Sequence, residues 1–203
     1  MRILCYGDSN TWGFIPGSGE RYPSDTRWTG VLSEMTKAQI IEEGLNGRTT
    51  VFQDNLEPFR EGLAYAAPCV MSHFPLDWII IMLGTNDCKT RYGVSAAEIG
   101  YGLEEVIMRM QEFCRRKNQS PKFLILSPAL LKINEDNIEF NRKAEEKVRQ
   151  LKAEYQRVAK DFQCEFLAAS DYVKDIGSDG IHFTAEGHRN LAIAIHNFIQ
   201  TCN

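Results

Sequence analysis

With 203 residues, 43% of them hydrophobic and 25% charged, the chain has the composition of a globular α/β protein and not of a disordered or fibrous one. Its 23 Lys and Arg against 27 Asp and Glu leave a net charge of −4 with no dense basic run, which argues against nucleic acid as the main partner. No apolar stretch approaches the roughly 18 residues of a membrane helix, the longest being "DWIIIML", so no membrane partner is expected.

Residues 2–6 read as a first buried strand that stops at Gly7 and opens a long loop, 7–26. One basic residue and so short an apolar run do not make a signal peptide, so a cytoplasmic location is expected, where the six cysteines, with no C-x-x-C pair, stay reduced. Trp28, Val31, Leu32 and Met35 share one helical face; residues 39–43 are a second strand, followed by a long loop at 45–61. Residues 78–83 form a third strand and 122–126 a fourth, with a helix between them carrying Ile99, Leu103, Val106, Met110 and Phe113 on one face. A third long loop spans 127–139. A helix built on Leu151, Tyr155, Val158 and Phe162, a strand at 165–167, and a last helix capped by Thr184 complete the chain.

This alternation predicts an α/β fold, a three-layer α/β/α sandwich with a central parallel sheet of about five strands, as one domain over residues 1–203. No linker, repeat or low-complexity segment interrupts it. In open α/β sheets ligands bind outside the carboxyl ends of the strands, so the three long loops are expected to surround the site.

Four polar clusters follow strand candidates: "GDSN" (7–10), "GLNGR" (44–48), "GTND" (84–87) and "DGIH" (179–182). A nucleophilic serine needs a base, and the base an orienting group. Ser9 supplies the first; Asp179 and His182, three apart before a helix, can meet across one turn. A developing oxyanion needs donors, for which the Ser9 N–H, the Gly47 N–H and the Asn86 side-chain amide are candidates. Each cluster also has an ordinary reading. Gly-Asp-Ser is a common turn, "GTND" a helix start with an Asn or Asp cap, and Asp-x-x-His a capping or surface pair. What separates the readings is that all four clusters occur in this order on one parallel sheet.

The four clusters together resemble the motifs of the SGNH hydrolases, also called the GDSL lipase/esterase family, almost from end to end. The likeness is strongest to a branch of arylesterases with acyltransferase activity, through "RWTGVL", "EEGLNGRTT", "PLDWIIIMLGTND" and "DGIHFT". The resemblance implies a flavodoxin-like fold and a cofactor-free, metal-free serine esterase acting on a small-molecule ester. Ser9, Asp179 and His182 would be its triad, and Ser9, Gly47 and Asn86 its oxyanion donors. It also implies a homo-oligomer, and places Asp8, Asn10, Trp12 and Phe14 as pocket candidates. Asn10 stands where the family name has leucine, and 127–139 has no clear counterpart.

Two rival readings use the same residues. A metal-dependent phosphoesterase would take Asp8, Asp87, Asp179 and His182 as ligands, and a non-catalytic ester- or carbohydrate-binding module would keep the scaffold without turnover. Arg27 and Arg48 are expected to pair with nearby acids. His73 and His188 show no evident partner, and Cys5 and Cys88 read as small buried hydrophobes.

Overall fold

The computed structural model describes residues 1–134 and 137–202, so positions 135 and 136 of the loop expected at 127–139 lie outside the described residues. Five strands form one sheet: β1 (Arg2–Gly7), β2 (Gln39–Gly44), β3 (Trp78–Met82), β4 (Lys122–Ser127) and β5 (Glu165–Ala168). All neighbours are parallel, in the order β2-β1-β3-β4-β5. The five expected strands are these five, each displaced by a residue at most.

Alternation along the strands divides the apolar residues between two cores. Leu4, Tyr6, Ile79 and Ile81 face one, Ile3, Cys5, Trp78, Ile80 and Met82 the other. Helices α2 (Trp28–Thr36) and α7 (Ala185–Thr201) cover the second core. Helices α3 (Gly62–His73), α4 (Ala96–Arg116) and α5 (Arg142–Asp161) cover the first. Short helices α1 (Ser9–Trp12) and α6 (Ala169–Tyr172) follow β1 and β5 directly. Three caps are sequence-encoded. Thr184 accepts from the Gly187 N–H, Asn141 from Lys143 and Ala144, and Ser95 with Glu98 forms a reciprocal capping box.

Two expectations are corrected. Met35, placed on the buried face of α2, is 37% exposed because the helix ends one residue later at a left-handed Lys37. Helix α3 was not anticipated, because Pro68 stands in its middle. Pro68 is exposed, so its missing N–H costs no buried hydrogen bond, while Gly62, Ala66, Cys69 and Val70 keep a continuous buried stripe.

The strand order fixes where a site can form. From β1 the chain crosses to β2 on one side and then to β3 on the other, so the loops after β1 and β3 diverge. That topological switch point is where open α/β sheets hold ligands. Ser9 follows β1 and Asn86 follows β3.

Candidate active site

Gly7 ends β1 against its neighbours: a Cβ there would lie 2.1 Å from Thr11 Oγ1 and 2.8 Å from the Met82 carbonyl. The chain turns at once into α1, whose cap is Asp8, accepting from the Asn10 N–H at 2.9 Å. Ser9 is the first residue of that helix, where a backbone N–H has no intrahelical acceptor and is left to face a ligand.

The loop before α7 delivers the other two side chains. Asp179 Oδ1 accepts from the Ile181 N–H at 2.9 Å and the His182 N–H at 3.0 Å, which curls the loop back on itself. Asp179 Oδ2 then meets His182 Nδ1 at 2.7 Å, and His182 Nε2 meets Ser9 Oγ at 2.8 Å. A carboxylate only accepts, so Nδ1 carries the proton and Nε2 is free to accept from the serine hydroxyl. Burial would raise the Asp179 pKa, but the hydrogen bonds from the His182 ring and from the His182 and Ile181 backbones prevail and hold it below the ordinary carboxylate range. Phe14 stacks on the His182 ring, centroids 4.2 Å apart, and limits its rotation.

The loop 45–50 is docked onto the same strand ends. Leu45 donates its N–H to the Gly7 carbonyl at 3.1 Å, and Arg48 closes a turn onto Leu45. Gly47 sits in that turn at φ +77°, a conformation that disfavours any side chain, and a Cβ would lie 2.8 Å from Glu57 Oε2. Asn86 Nδ2 donates to the Arg48 carbonyl at 3.1 Å, so one hydrogen of its amide ties the loops together and the second is left to donate. Arg48 was expected to pair with an acid. It is buried instead, with its guanidinium donating to the Gly7 and Glu43 carbonyls and stacking 4.3 Å over the Tyr6 ring.

Three pocket candidates have other duties. Asp8 is 1% exposed and caps α1. Asn10 is buried and reaches the loop of His182, accepting from the Phe183 N–H at 3.0 Å and donating to the Ile181 carbonyl at 3.4 Å. An asparagine does at this position what a leucine cannot: it fastens the loop of His182 to the helix of Ser9 across 173 positions of sequence. Trp12 turns toward Arg21, whose guanidinium lies 5.4 Å from its ring, leaving Phe14 as the aromatic stacked on His182.

The four proposed metal ligands do not form a metal-ligand group among the described residues. Asp179 and His182 are spent on each other, and Asp87 points away to Thr50, accepting from its N–H at 2.8 Å and its hydroxyl at 2.5 Å. Thr50 and Asp87 thus lock the Gly47 loop to the Asn86 turn, a role no local motif announces. His188, which shows no evident partner in the sequence, is buried: it accepts from the Trp28 N–H at Nδ1, and burial, with help from Arg27 and His182, pushes its pKa down to about 3. Arg27 pairs with Glu42 at 2.7 Å. His73 pairs with Glu43.

Burial has a measurable consequence at Asp87, whose pKa it raises from 3.8 to about 6 against the Thr50 hydrogen bonds, with the nearby Asp8 carboxylate adding to the rise. A carboxyl whose native pKa is raised binds more protons folded than unfolded, so stability falls as pH rises through that interval. The loss is roughly 3 kcal/mol in total. Asp87→Asn keeps an acceptor for Thr50 but cannot ionise. Its stability relative to the parent is expected to rise by about that amount between pH 3 and 7 in urea titrations; a difference independent of pH would refute the assignment.

The chain is similar to known esterases over nearly its whole length. A family model described as GDSL-like lipase/acylhydrolase matches residues 5–189. Est24, a carbohydrate acetylesterase from Sinorhizobium meliloti, is 34% identical with a TM-score of 0.94, over 100% of this chain and 99% of that one. The native aryl esterase of M. smegmatis is also 34% identical, with a TM-score of 0.92 over 98% of both chains. A carbohydrate acetylesterase family member from Sinorhizobium meliloti gives 30% identity and 0.86, over 98% and 97%. No curated protein sequence matched.

Proposed function

The chain belongs to the GDSL-like lipase/acylhydrolase family, and from that premise we propose that it is a serine esterase for short acyl groups on small alcohols, aryl or sugar, with Ser9 as nucleophile. It is a carboxylic-ester hydrolase, as its structural neighbours are esterases. The observation that carries the finer reading is the unbroken hydrogen-bonded chain from Ser9 Oγ through His182 to Asp179.

Ser9 Oγ attacks the ester carbonyl as His182 Nε2 takes its proton, and Asp179 stabilises the imidazolium that forms. The negative charge on the former carbonyl oxygen is met by the Ser9 N–H, the Gly47 N–H and the Asn86 amide. These donors are fixed before substrate arrives, which is why they stabilise the charge without reorganisation. His182 returns its proton to the departing alcohol, and a water, deprotonated by the same nitrogen, then attacks the acyl-enzyme. An alcohol in place of water gives transfer instead of hydrolysis.

What supports a short acyl side is Phe14, whose ring stacks on that of His182 and would take up space next to the nucleophile. Two readouts test the reading: p-nitrophenol release from acetate, butyrate and octanoate esters, and intact-mass labelling by an organophosphonate. The expected result is fastest release from acetate and a single adduct on Ser9. An unlabelled protein that binds ester without turnover would replace the esterase by a binding module.

A further inference from the structure

Away from the Ser9 site, a second group of coordinating side chains lies between the edge strand and a helix. Glu43 is next to last in β2, and Cys69 and His73 stand one turn apart on α3. A carboxylate oxygen, a sulfur and an imidazole nitrogen from these three lie within 4.8 Å of one another. The ester chemistry proposed above uses none of them. We propose that Glu43, Cys69 and His73 are the protein ligands of a divalent metal ion of the zinc class.

The placement follows from the two periodicities of the fold. Ile41 packs on the core beneath α3, and Glu43, two residues on, points to the same face of the sheet. Cys69 and His73 at i and i+4 share the face of α3 turned toward it. Nitrogen, sulfur and one oxygen are the donors of zinc or cobalt, where magnesium and calcium take oxygen alone. Bond lengths of about 2.0–2.3 Å put tetrahedral donors roughly 3.3–3.8 Å apart. His73 Nε2 and Glu43 Oε1 are already 2.8 Å apart, and both side chains are partly exposed at 26% and 19%, which leaves room to adjust and a fourth position for water. The Tyr65 hydroxyl donates to Glu43 Oε1 at 3.3 Å, the kind of outer hydrogen bond that orients a ligating carboxylate. Burial, with the Glu43 carboxylate, pushes the Cys69 thiol above its ordinary range, so the metal-free site holds a thiol. A metal takes the sulfur as thiolate and releases that proton.

The competing account is a His73–Glu43 ion pair beside a cysteine that only fills space. The two accounts differ in what the sulfur does. In the metal account, β2 is stapled at the sheet edge to α3, and an ion bound only by the folded chain raises its stability.

Chelator-stripped full-length protein is titrated with Co²⁺ and then with Zn²⁺. One equivalent of Co²⁺ is expected to give tetrahedral visible bands and a thiolate-to-cobalt charge-transfer band. One equivalent of Zn²⁺ should bleach both and raise the thermal midpoint. Cys69→Ser should lose the charge-transfer band, and His73→Ala, a partly exposed position, should bind Co²⁺ at least about tenfold more weakly. No band in the parent, a band that persists in Cys69→Ser, or unchanged affinity in His73→Ala overturns the site. Far-UV circular dichroism and a cooperative thermal transition report whether both variants are folded, and should Cys69→Ser not fold, His73→Ala decides. Failure of the esterase reading would leave the cobalt spectrum as it is, so the two fail separately.

Discussion

Ser9→Ala is expected to lower kcat for p-nitrophenyl acetate by roughly 10⁴- to 10⁶-fold while leaving the fold intact. The reason for the intact fold is local. Ser9 opens α1, whose cap is the Asp8 side chain, and alanine is a better helix former than serine. The one side-chain hydrogen bond lost is that to His182 Nε2, a nitrogen that can take water instead. The reason for the kinetic loss is that no other hydroxyl lies within hydrogen-bond reach of that base among the described residues. The donors that would hold the oxyanion remain, so residual hydrolysis above the rate in water is expected, with KM little changed. A single phosphonate adduct in the parent and none in the variant completes the result. Turnover in Ser9→Ala equal to that of the parent would remove Ser9 from the mechanism.

What could be read from the sequence, and what could not, divides along a physical line. The strands were legible because a parallel sheet covered on both faces needs continuous apolar runs, and "WIIIM" in β3 is buried at every position. Helices α4 and α5 were legible because each has one apolar and one charged face. Helix α3 has no charged face to set a period against, and carries a proline, so its stripe gives no clear helical signal. The site was legible in its outline because three of the clusters directly follow β1, β2 and β3, at whose carboxyl ends the fold gathers them, and the fourth lies in the loop before α7. Its fastenings were not. Asn10 with Phe183, Thr50 with Asp87, and Arg48 with the Gly7 carbonyl join residues 37 to 173 positions apart. Nothing near those residues in sequence signals the partner. Cys69 and His73 pose the same difficulty with respect to Glu43, which lies on another element.

Asp179→Asn should cost nearly as much as loss of the nucleophile, on the order of 10⁴-fold in kcat, although it changes neither size nor shape. Asp179 Oδ1 accepts two backbone N–H groups, from Ile181 and His182. An amide nitrogen in that place would face two donors with none to accept, so the carbonyl oxygen of the asparagine must stay there. Its NH₂ group is then directed at His182 Nδ1, which at present donates to Oδ2 at 2.7 Å. To accept from the amide, Nδ1 must give up its proton, and the ring takes the tautomer with hydrogen on Nε2. That nitrogen points at Ser9 Oγ from 2.8 Å and can no longer receive its proton. The loss is therefore one of proton placement, and KM is expected to hold. Asn86→Ala supplies the scale for comparison: removing one of three oxyanion donors should cost about 10²- to 10³-fold. Alkaline pH should restore part of the Asp179→Asn rate, because hydroxide deprotonates Ser9 or water without the imidazole, and should do nothing comparable for Asn86→Ala. If Asp179→Asn retains parental kcat at neutral pH, the carboxylate only holds the loop, and the tautomer argument fails.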